Sequence, residues 1–356
     1  MRRYDIDWVR VIAIGLLLIY HSAIAFQPWG SMIAFITNKE PWPALWLPMA
    51  ILNVWRIPLL FFVSGMGMYF AMQSRTAREL ITERARRILL PFLFGIFFIV
   101  PIQIAIWRYY AGMRLFYVYD PSHLWFLGNI FAYVVIFAPL FFYLKSNTDS
   151  KFAKMLRSVF NSPLGILVVI AMLVAEAVIL KPYPYELYAM TWHGFFLGLI
   201  AFFFGYTFAF TGPSFWNMLV KVKWYLLVIA GVLAAIRLTY VVPGKPAYMI
   251  PPETVCWILF ILTLGYQYLN RPGKTLSYLS EAAYPVYIIH MIFQNLVSVL
   301  IFPMNLPVQI KYILLVLFTL TGCILFYEFV IRRVRFVRPL FGLKPEKELK
   351  TAIVSS

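Results

Sequence analysis

The first apolar segment carries three ionisable side chains whose spacing places them on one face of a helix. Residues 3–22 read RYDIDWVRVIAIGLLLIYHS, with Asp7 three residues before Arg10 and His21 eleven residues after it. Eleven residues of α-helix rise about 16 Å in just over three turns, so the three side chains point almost the same way. An ionisable residue at depth in a membrane costs roughly 2.5 to 3.5 kcal/mol and usually has a function.

This arrangement suits general base catalysis. A histidine near neutral pH can remove the proton of a hydroxyl as that hydroxyl attacks an acyl carbon. Arg10 lies close to the predicted cytosolic entrance, and His21 lies deeper, near the middle of the span. In the structural alternative, Arg10 reaches a lipid phosphate and His21 hydrogen-bonds a neighbouring helix.

A run of arginines follows the second apolar segment. The sequence RTARELITERARR, residues 75–87, leads into Pro91, with Arg84, Arg87 and Pro91 at helical spacing. On this short cytosolic link the arginines either anchor the chain at anionic lipid or clamp a phosphorylated ligand, because guanidinium binds phosphate bidentately.

Two further segments place polar residues towards the other side of the membrane. WRIPLLFFVSGMGMYF contains Arg56 inside a span, Pro58 as a predicted kink, and Ser64 as a candidate oxyanion donor. SHLWFLGNI contains His123 and Trp125, which could line a carbohydrate site or belong to an interfacial aromatic belt. We expect Arg56, His123 and Trp125 on the acceptor side.

The last two spans carry a histidine and a carboxylate. His290 ends YPVYIIH, near mid-span, where it could face the same interior as His21. Glu328 lies in an apolar run and needs a partner, which Arg10 or the Arg332–Arg333 pair could supply. A structural ion pair and a ligand contact are both compatible with this pattern.

Elsewhere, Glu176 and Arg237 lie inside spans, where they could form an ion pair. His193 follows KPYPYELYAMTW and is expected at the interface.

The composition requires a polytopic membrane protein. Of the 356 residues 62% are hydrophobic and 13% charged, with a mean hydropathy of +0.80. The first apolar stretch is too long for a signal peptide and is expected to be retained. Ten spans of an all-α fold are predicted near 8–28, 45–72, 89–107, 124–144, 163–181, 190–211, 224–242, 253–270, 282–302 and 310–331.

Charge placement orients these spans. Counted over alternate loops, 22 of the 31 lysines and arginines fall on the side of the N-terminus and 6 on the other. The positive-inside rule therefore predicts that both termini are cytoplasmic. The net charge of +17 reflects this topology and contact with anionic lipid headgroups, and nucleic-acid binding is not expected. Cys256 and Cys323 lie inside apolar runs, so neither a disulfide nor a metal site is expected.

Several motifs in order along the chain resemble the acyltransferase-3 family of polytopic membrane acyltransferases, and most closely its branch that O-succinylates osmoregulated periplasmic glucans. They are D-x-x-R at Asp7 and Arg10, the histidine eleven residues on, RIPLLFFVSG at 56–65, the arginines before Pro91, HLWFL at 123–127, YIIH at 287–290, YE at 327–328 and LFGLKP at 340–345.

The resemblance implies a cytosolic acyl-CoA donor and an extracytoplasmic glycan hydroxyl as acceptor. His21 would be the catalytic base, and Arg10, Arg84 and Arg87 would hold the CoA end. The resemblance predicts one transmembrane domain over 1–345 and a cytoplasmic tail over 346–356. We also expect a multi-pass inner-membrane protein without a permanently bound cofactor, in contact with membrane lipids.

The sequence leaves three points open. The acyl group could be succinyl or acetyl, and the acceptor could be a free glycan or a glycolipid. The oligomeric state is open, a homodimer included. The alternative function is a transporter or flippase for a glycolipid or acylated small molecule, which would need buried charges but no base. Such a transporter would be expected to show repeat symmetry, which the sequence does not show.

Overall fold

The fold is a set of apolar helices. The computed structural model describes residues 3–239 and 247–344. Within these ranges 80% of the chain is helical and there is no strand. The predicted tail, 346–356, lies outside the described residues. The helices are α1 (Tyr4–Ile24), α2 (Trp46–Met72), α3 (Ala77–Tyr110), α4 (Trp125–Ser146), α5 (Lys151–Phe160), α6 (Leu164–Leu180), α7 (Trp192–Thr211), α8 (Pro213–Thr239), α9 (Ile250–Leu264), α10 (Lys274–Ile301) and α11 (Val308–Phe326).

The helices confirm the predicted class of polytopic membrane protein. In the described part of the chain, nine helices are long and apolar enough to cross a membrane. The pair α5 and α6, bent by 99° at a short break, gives a tenth if it is counted as one span. Several span boundaries differ from prediction; α8 begins at Pro213 rather than near residue 224, and α10 begins at Lys274 rather than near residue 282. Helix α1 ends at Ile24 rather than near residue 28, and α3 begins at Ala77, so most of the arginine-rich link is helical.

The chain forms two compact units. Unit 1 comprises Met1–Ala13, Ala50–Thr82 and Asn129–Gly273. Unit 2 comprises Ile14–Met49, Glu83–Gly128 and Lys274–Ser356. Each unit has its own buried apolar core, and each is described separately below.

In unit 1, two glycines let α2 and α7 pack backbone against backbone. A Cβ on Gly65 would lie 2.0 Å from the carbonyl oxygen of Phe202, and a Cβ on Gly205 would lie 2.0 Å from that of Phe62. No side chain fits at either position. Small residues at such crossings are common in membrane helices, because close backbone approach increases van der Waals contact.

A proline in α2 is compensated within unit 1. Pro58 has no N–H, so the carbonyl of Val54 loses its helical donor. Thr254 of α9 donates its hydroxyl to that oxygen at 3.0 Å. The interrupted helix is therefore tied to a neighbour at the residue where its own ladder fails.

The ion pair that Glu176 and Arg237 could form is not made. Glu176 lies 2.7 Å from Nδ1 of His193, and Arg237 donates to Glu253 at 2.6 and 2.9 Å. His193 is only 4% exposed, so it is a buried partner of Glu176 rather than an open interfacial residue. A buried charge needs a partner with good geometry, and the loop 181–191 joins α6, which carries Glu176, directly to α7, which carries His193.

In unit 2, two prolines shape α3. Each lies two residues after the end of a π-helical turn, Pro91 after Ala85–Leu89 and Pro101 after Gly95–Ile99. A proline clashes with the carbonyl four residues earlier, and the wider π turn relieves this locally. The carbonyl of Phe97, four residues before Pro101, accepts a hydrogen bond from the Tyr117 hydroxyl at 2.8 Å.

We predict that Gly65→Ala lowers the stability of the protein. The added methyl would meet the backbone of α7, which cannot move aside as a side chain can, and such overpacking costs about 1 to 3 kcal/mol. Thermal unfolding of the detergent-solubilised protein measures the effect. Gly231→Ala is the control, because nothing lies within 4 Å of its added Cβ in α8. Equal unfolding temperatures for the two variants would contradict the close crossing.

Candidate functional site

Three of the four histidines meet in unit 2. Nδ1 of His21, in the last turn of α1, lies 2.9 Å from Nε2 of His290 in α10. Their rings are nearly parallel, with centroids 5.1 Å apart. The ring of His123, just before α4, packs edge-on against that of His290, with the ring centroids 4.9 Å apart. His21 and His290 thus share one interior, as the sequence suggested, and His123 joins them.

Backbone carbonyls of α10 hold two of these rings. Nδ1 of His290 lies 2.6 Å from the carbonyl oxygen of Tyr287, and Nε2 of His123 lies 3.1 Å from that of Ile288. The hydroxyl of Tyr287 in turn donates to the carbonyl of His123. His290 is fully buried. Its ring and that of His123 are therefore fixed by one short stretch of helix.

The end of α1 is held by an amide side chain. The last four carbonyls of a helix have no intrahelical donor, and Nε2 of Gln294 donates to the carbonyl of His21 at 3.0 Å. Phe35, from the segment after α1, places its ring edge-on to His21 at 5.6 Å. His21 is consequently restrained at its backbone and at its ring.

One imidazole nitrogen in this cluster has unused hydrogen-bonding capacity. Nδ1 of His123 is buried and has no hydrogen-bond partner among the described residues. Because Nε2 faces a carbonyl and must donate, Nδ1 carries the lone pair of the neutral ring. Next to the histidines, this nitrogen can accept a hydrogen bond from a hydroxyl. Trp125, the other predicted acceptor contact here, is 9% exposed.

Two of the three arginines predicted to hold the donor, Arg84 and Arg87, lie together within the first three turns of α3. Nη1 of Arg87 donates to Glu83 at 3.0 Å, and Nε of Arg84 lies 3.9 Å from the same carboxylate. The Arg87 side chain is 41% exposed, so it remains open to a ligand. Charge-assisted hydrogen bonding to phosphate is the chemistry that such a pair offers.

The segment after α11 packs beside these arginines. Arg338 donates to Glu281 at 3.3 Å and to the carbonyls of Arg332 and Lys344 at 2.8 and 2.9 Å. This brings Gly342 against α3, where a Cβ would lie 2.7 Å from the carbonyl oxygen of Arg87. Gly342 also has a positive φ of 73°, which favours glycine.

The remaining predicted residues are distributed as follows. In unit 1, Arg10 donates to Asp7 at 3.3 Å, as their spacing indicated. Arg56 is 1% exposed, and the hydroxyl of Ser64 donates to the carbonyl of Leu60 at 2.7 Å. In unit 2, Glu328 accepts hydrogen bonds from Arg332, which identifies one of the two predicted partners.

Sequence reasoning missed the buried amides around the histidines. Gln294 and Asn295 are each 1% exposed, and Gln103 is 5% exposed. Asn295 donates to the carbonyl of Gln103 at 3.1 Å. The signal was present, since amides inside apolar runs usually make interhelical hydrogen bonds. Among the residues that the structure describes, no group of His, Cys, Asp and Glu is arranged to hold a metal ion.

A comparison with known protein families identifies the class of this chain. The acyltransferase-3 family model, described as an acyltransferase domain, matches residues 3–328, which is nearly the whole chain. No curated protein and no solved structure matches the chain significantly.

We predict that Tyr287→Phe destabilises the histidine cluster. Loss of the hydroxyl removes a hydrogen bond to the backbone of His123, and an unsatisfied buried polar group costs about 1 to 3 kcal/mol. Thermal unfolding would show a lower midpoint. Tyr284→Phe is the matched control three residues earlier, because its buried hydroxyl has no hydrogen-bond partner in the described part of the chain. A midpoint for Tyr287→Phe no lower than that of the control would refute this role.

Proposed function

The chain belongs to the acyltransferase-3 family, and we propose that it is a membrane O-acyltransferase with His21 as general base. Membership indicates acyl transfer by a polytopic membrane protein. In the proposal, cytosolic acyl-CoA is the donor and a hydroxyl of an extracytoplasmic glycan is the acceptor. The observation that carries the proposal is the hydrogen bond between His21 and His290, because an oriented imidazole is what proton removal from a hydroxyl requires.

The proposed reaction is a direct transfer. His21 takes the hydroxyl proton, and the alkoxide oxygen forms a bond to the thioester carbonyl carbon. Collapse of the tetrahedral intermediate breaks the carbon–sulfur bond, and the proton on His21 passes to the departing CoA thiolate. The products are an O-acyl ester and free CoA, and His21 returns to its neutral form.

On the acceptor side, His123 is proposed to bind a hydroxyl of the glycan. Its buried Nδ1, without a partner among the described residues, supports this role. Arg56 and Trp125 are proposed as further acceptor contacts, and both are at least nine-tenths buried. A sugar with several hydroxyls offers the donors that such a nitrogen needs.

On the donor side, Arg84 and Arg87 are proposed to bind the phosphates of CoA. Their shared contact with Glu83 supports a common role. Arg10, paired with Asp7, is proposed as a further donor contact. Glu328 is proposed to support this end of the protein through its pair with Arg332. Succinyl and acetyl groups both remain candidates for the acyl group, and a glycolipid remains a candidate acceptor.

We predict that His21→Ala lowers acyl transfer by at least about 100-fold, the usual contribution of a general base. The purified protein in proteoliposomes is given acetyl-CoA or succinyl-CoA with an envelope glycan fraction. Release of free CoA is measured, and mass spectrometry identifies the acylated glycan. Ser22→Ala, the adjacent residue, is the control and should retain activity.

The same experiment separates the alternatives. Near-full transfer by His21→Ala would exclude His21 as the base. A transporter would instead retain function in His21→Gln, and wild-type proteoliposomes would then release no CoA in the presence of any glycan fraction. Either result would overturn the proposed mechanism.

We predict that Arg87→Ala raises the KM for acyl-CoA by about 10-fold or more, since loss of a charge-assisted hydrogen bond costs about 1.5 to 3 kcal/mol. The KM for the acceptor should change little. Arg86→Ala is the matched control, because Arg86 is the exposed neighbour in the same turn. Equal KM values for the two variants would show that this cluster only anchors the chain.

A further inference from the structure

We propose that His290 is a positioning residue that fixes the tautomer of His21 and makes Nε2 of His21 the atom that takes the proton. This inference rests on the proposed function, in which His21 is the base, and it adds which nitrogen acts and what selects it. Two hydrogen bonds in unit 2 carry it. One joins His290 to the backbone carbonyl of Tyr287, and the other joins His290 to His21.

The first step is the tautomer of His290. Its Nδ1 lies 2.6 Å from the carbonyl oxygen of Tyr287. A carbonyl oxygen can only accept, so Nδ1 of His290 must carry a hydrogen. A neutral imidazole has one N–H, and Nε2 of His290 therefore carries a lone pair.

The second step is the tautomer of His21, which follows from that of His290. Nε2 of His290 lies 2.9 Å from Nδ1 of His21. Because Nε2 of His290 accepts, Nδ1 of His21 must donate and carries the hydrogen. The lone pair of neutral His21 is then on Nε2. The carbonyl of Tyr287 thus fixes the tautomer of His290, and His290 in turn determines which ring nitrogen of His21 is basic.

The neutral form of His290 is the one that its surroundings favour. Its side chain is fully buried inside a membrane-spanning helix, where burial of a positive charge is costly. A neutral ring fulfils the role that a carboxylate has in a serine protease triad, namely orientation of the base.

The surroundings hold both rings in this alignment. Gln294, one turn after His290 in α10, donates to the backbone carbonyl of His21. Helix α10 therefore contacts His21 at a main-chain atom and at a ring atom. His123 packs its ring at 82° to that of His290, which restricts rotation of the His290 ring.

The arrangement also stabilises the charged intermediate. When Nε2 of His21 takes the hydroxyl proton, the ring becomes positive, and its Nδ1–H bond to His290 becomes charge-assisted and stronger. An interaction that strengthens as the reaction proceeds lowers the barrier rather than the KM. When the thiolate leaves, Nε2 of His21 returns the proton to sulfur and the neutral pair is restored.

Two substitutions of His290 test the relay. His290→Phe keeps an aromatic ring but has no acceptor, whereas the amide oxygen of His290→Gln can accept from Nδ1 of His21. We predict that His290→Phe lowers kcat on the order of 100-fold with little change in either KM, because the interaction matters in the transition state. His290→Gln should stay within about 10-fold of wild type. Equal kcat losses in both variants, or a loss confined to KM, would overturn the proposal.

A spectroscopic measurement is independent of activity. Nitrogen-15 NMR of the full-length protein, labelled at histidine, distinguishes protonated from unprotonated ring nitrogens, and the signals of His21 are assigned by their loss in His21→Ala. In wild type, Nδ1 of His21 should be protonated and Nε2 should not, and in His290→Phe this preference should weaken. A wild-type His21 protonated at Nε2 would overturn the relay. That result would leave the proposed acyl transfer standing, which fails instead if His21→Ala remains active.

Discussion

The constraint on which the structure depends is that polar backbone groups inside an apolar bundle must find hydrogen-bond partners. Prolines within helices, and the last turn of α1, each leave a carbonyl without its helical N–H. At three of these positions a side chain from another part of the chain supplies the missing donor. These donors are Thr254 for Val54, Tyr117 for Phe97 and Gln294 for His21. The interruptions of the helices are therefore also the points where elements are joined.

The histidine cluster also depends on hydrogen bonds between side chains and backbone carbonyls, but here the carbonyls orient the side chains. Here carbonyls of α10 serve as fixed acceptors, at Tyr287 for His290 and at Ile288 for His123. A carbonyl orients an imidazole without adding a charge, which suits a site inside a membrane-spanning segment, where a buried charge needs compensation. The cluster thereby obtains three defined ring orientations from one helix, and the mechanism proposed for His21 depends on that orientation.

The sequence predicted pairs close along one helix better than pairs between helices. The contact of Asp7 with Arg10 followed from a spacing of three residues, and the structure confirms it. The ion pair that Glu176 and Arg237 could have formed is absent, because the position of a charge inside a span indicates that it needs a partner but does not identify that partner. His193, expected at the interface, is the partner of Glu176. The branch of the family, the acyl group and the acceptor stay predictions.

The sequence by itself determined the class of protein, since 62% hydrophobic residues can be accommodated only in a membrane. It also determined the family and the candidate base, through local motifs that the chain carries in order. The tertiary structure decided that His21, His123 and His290 meet, and that carbonyls of α10 lie against the rings of His290 and His123. Residues 269 positions apart, as His21 and His290 are, carry no local pattern that records their contact. Such contacts depend on how the helices pack, and helix periodicity alone does not specify packing partners.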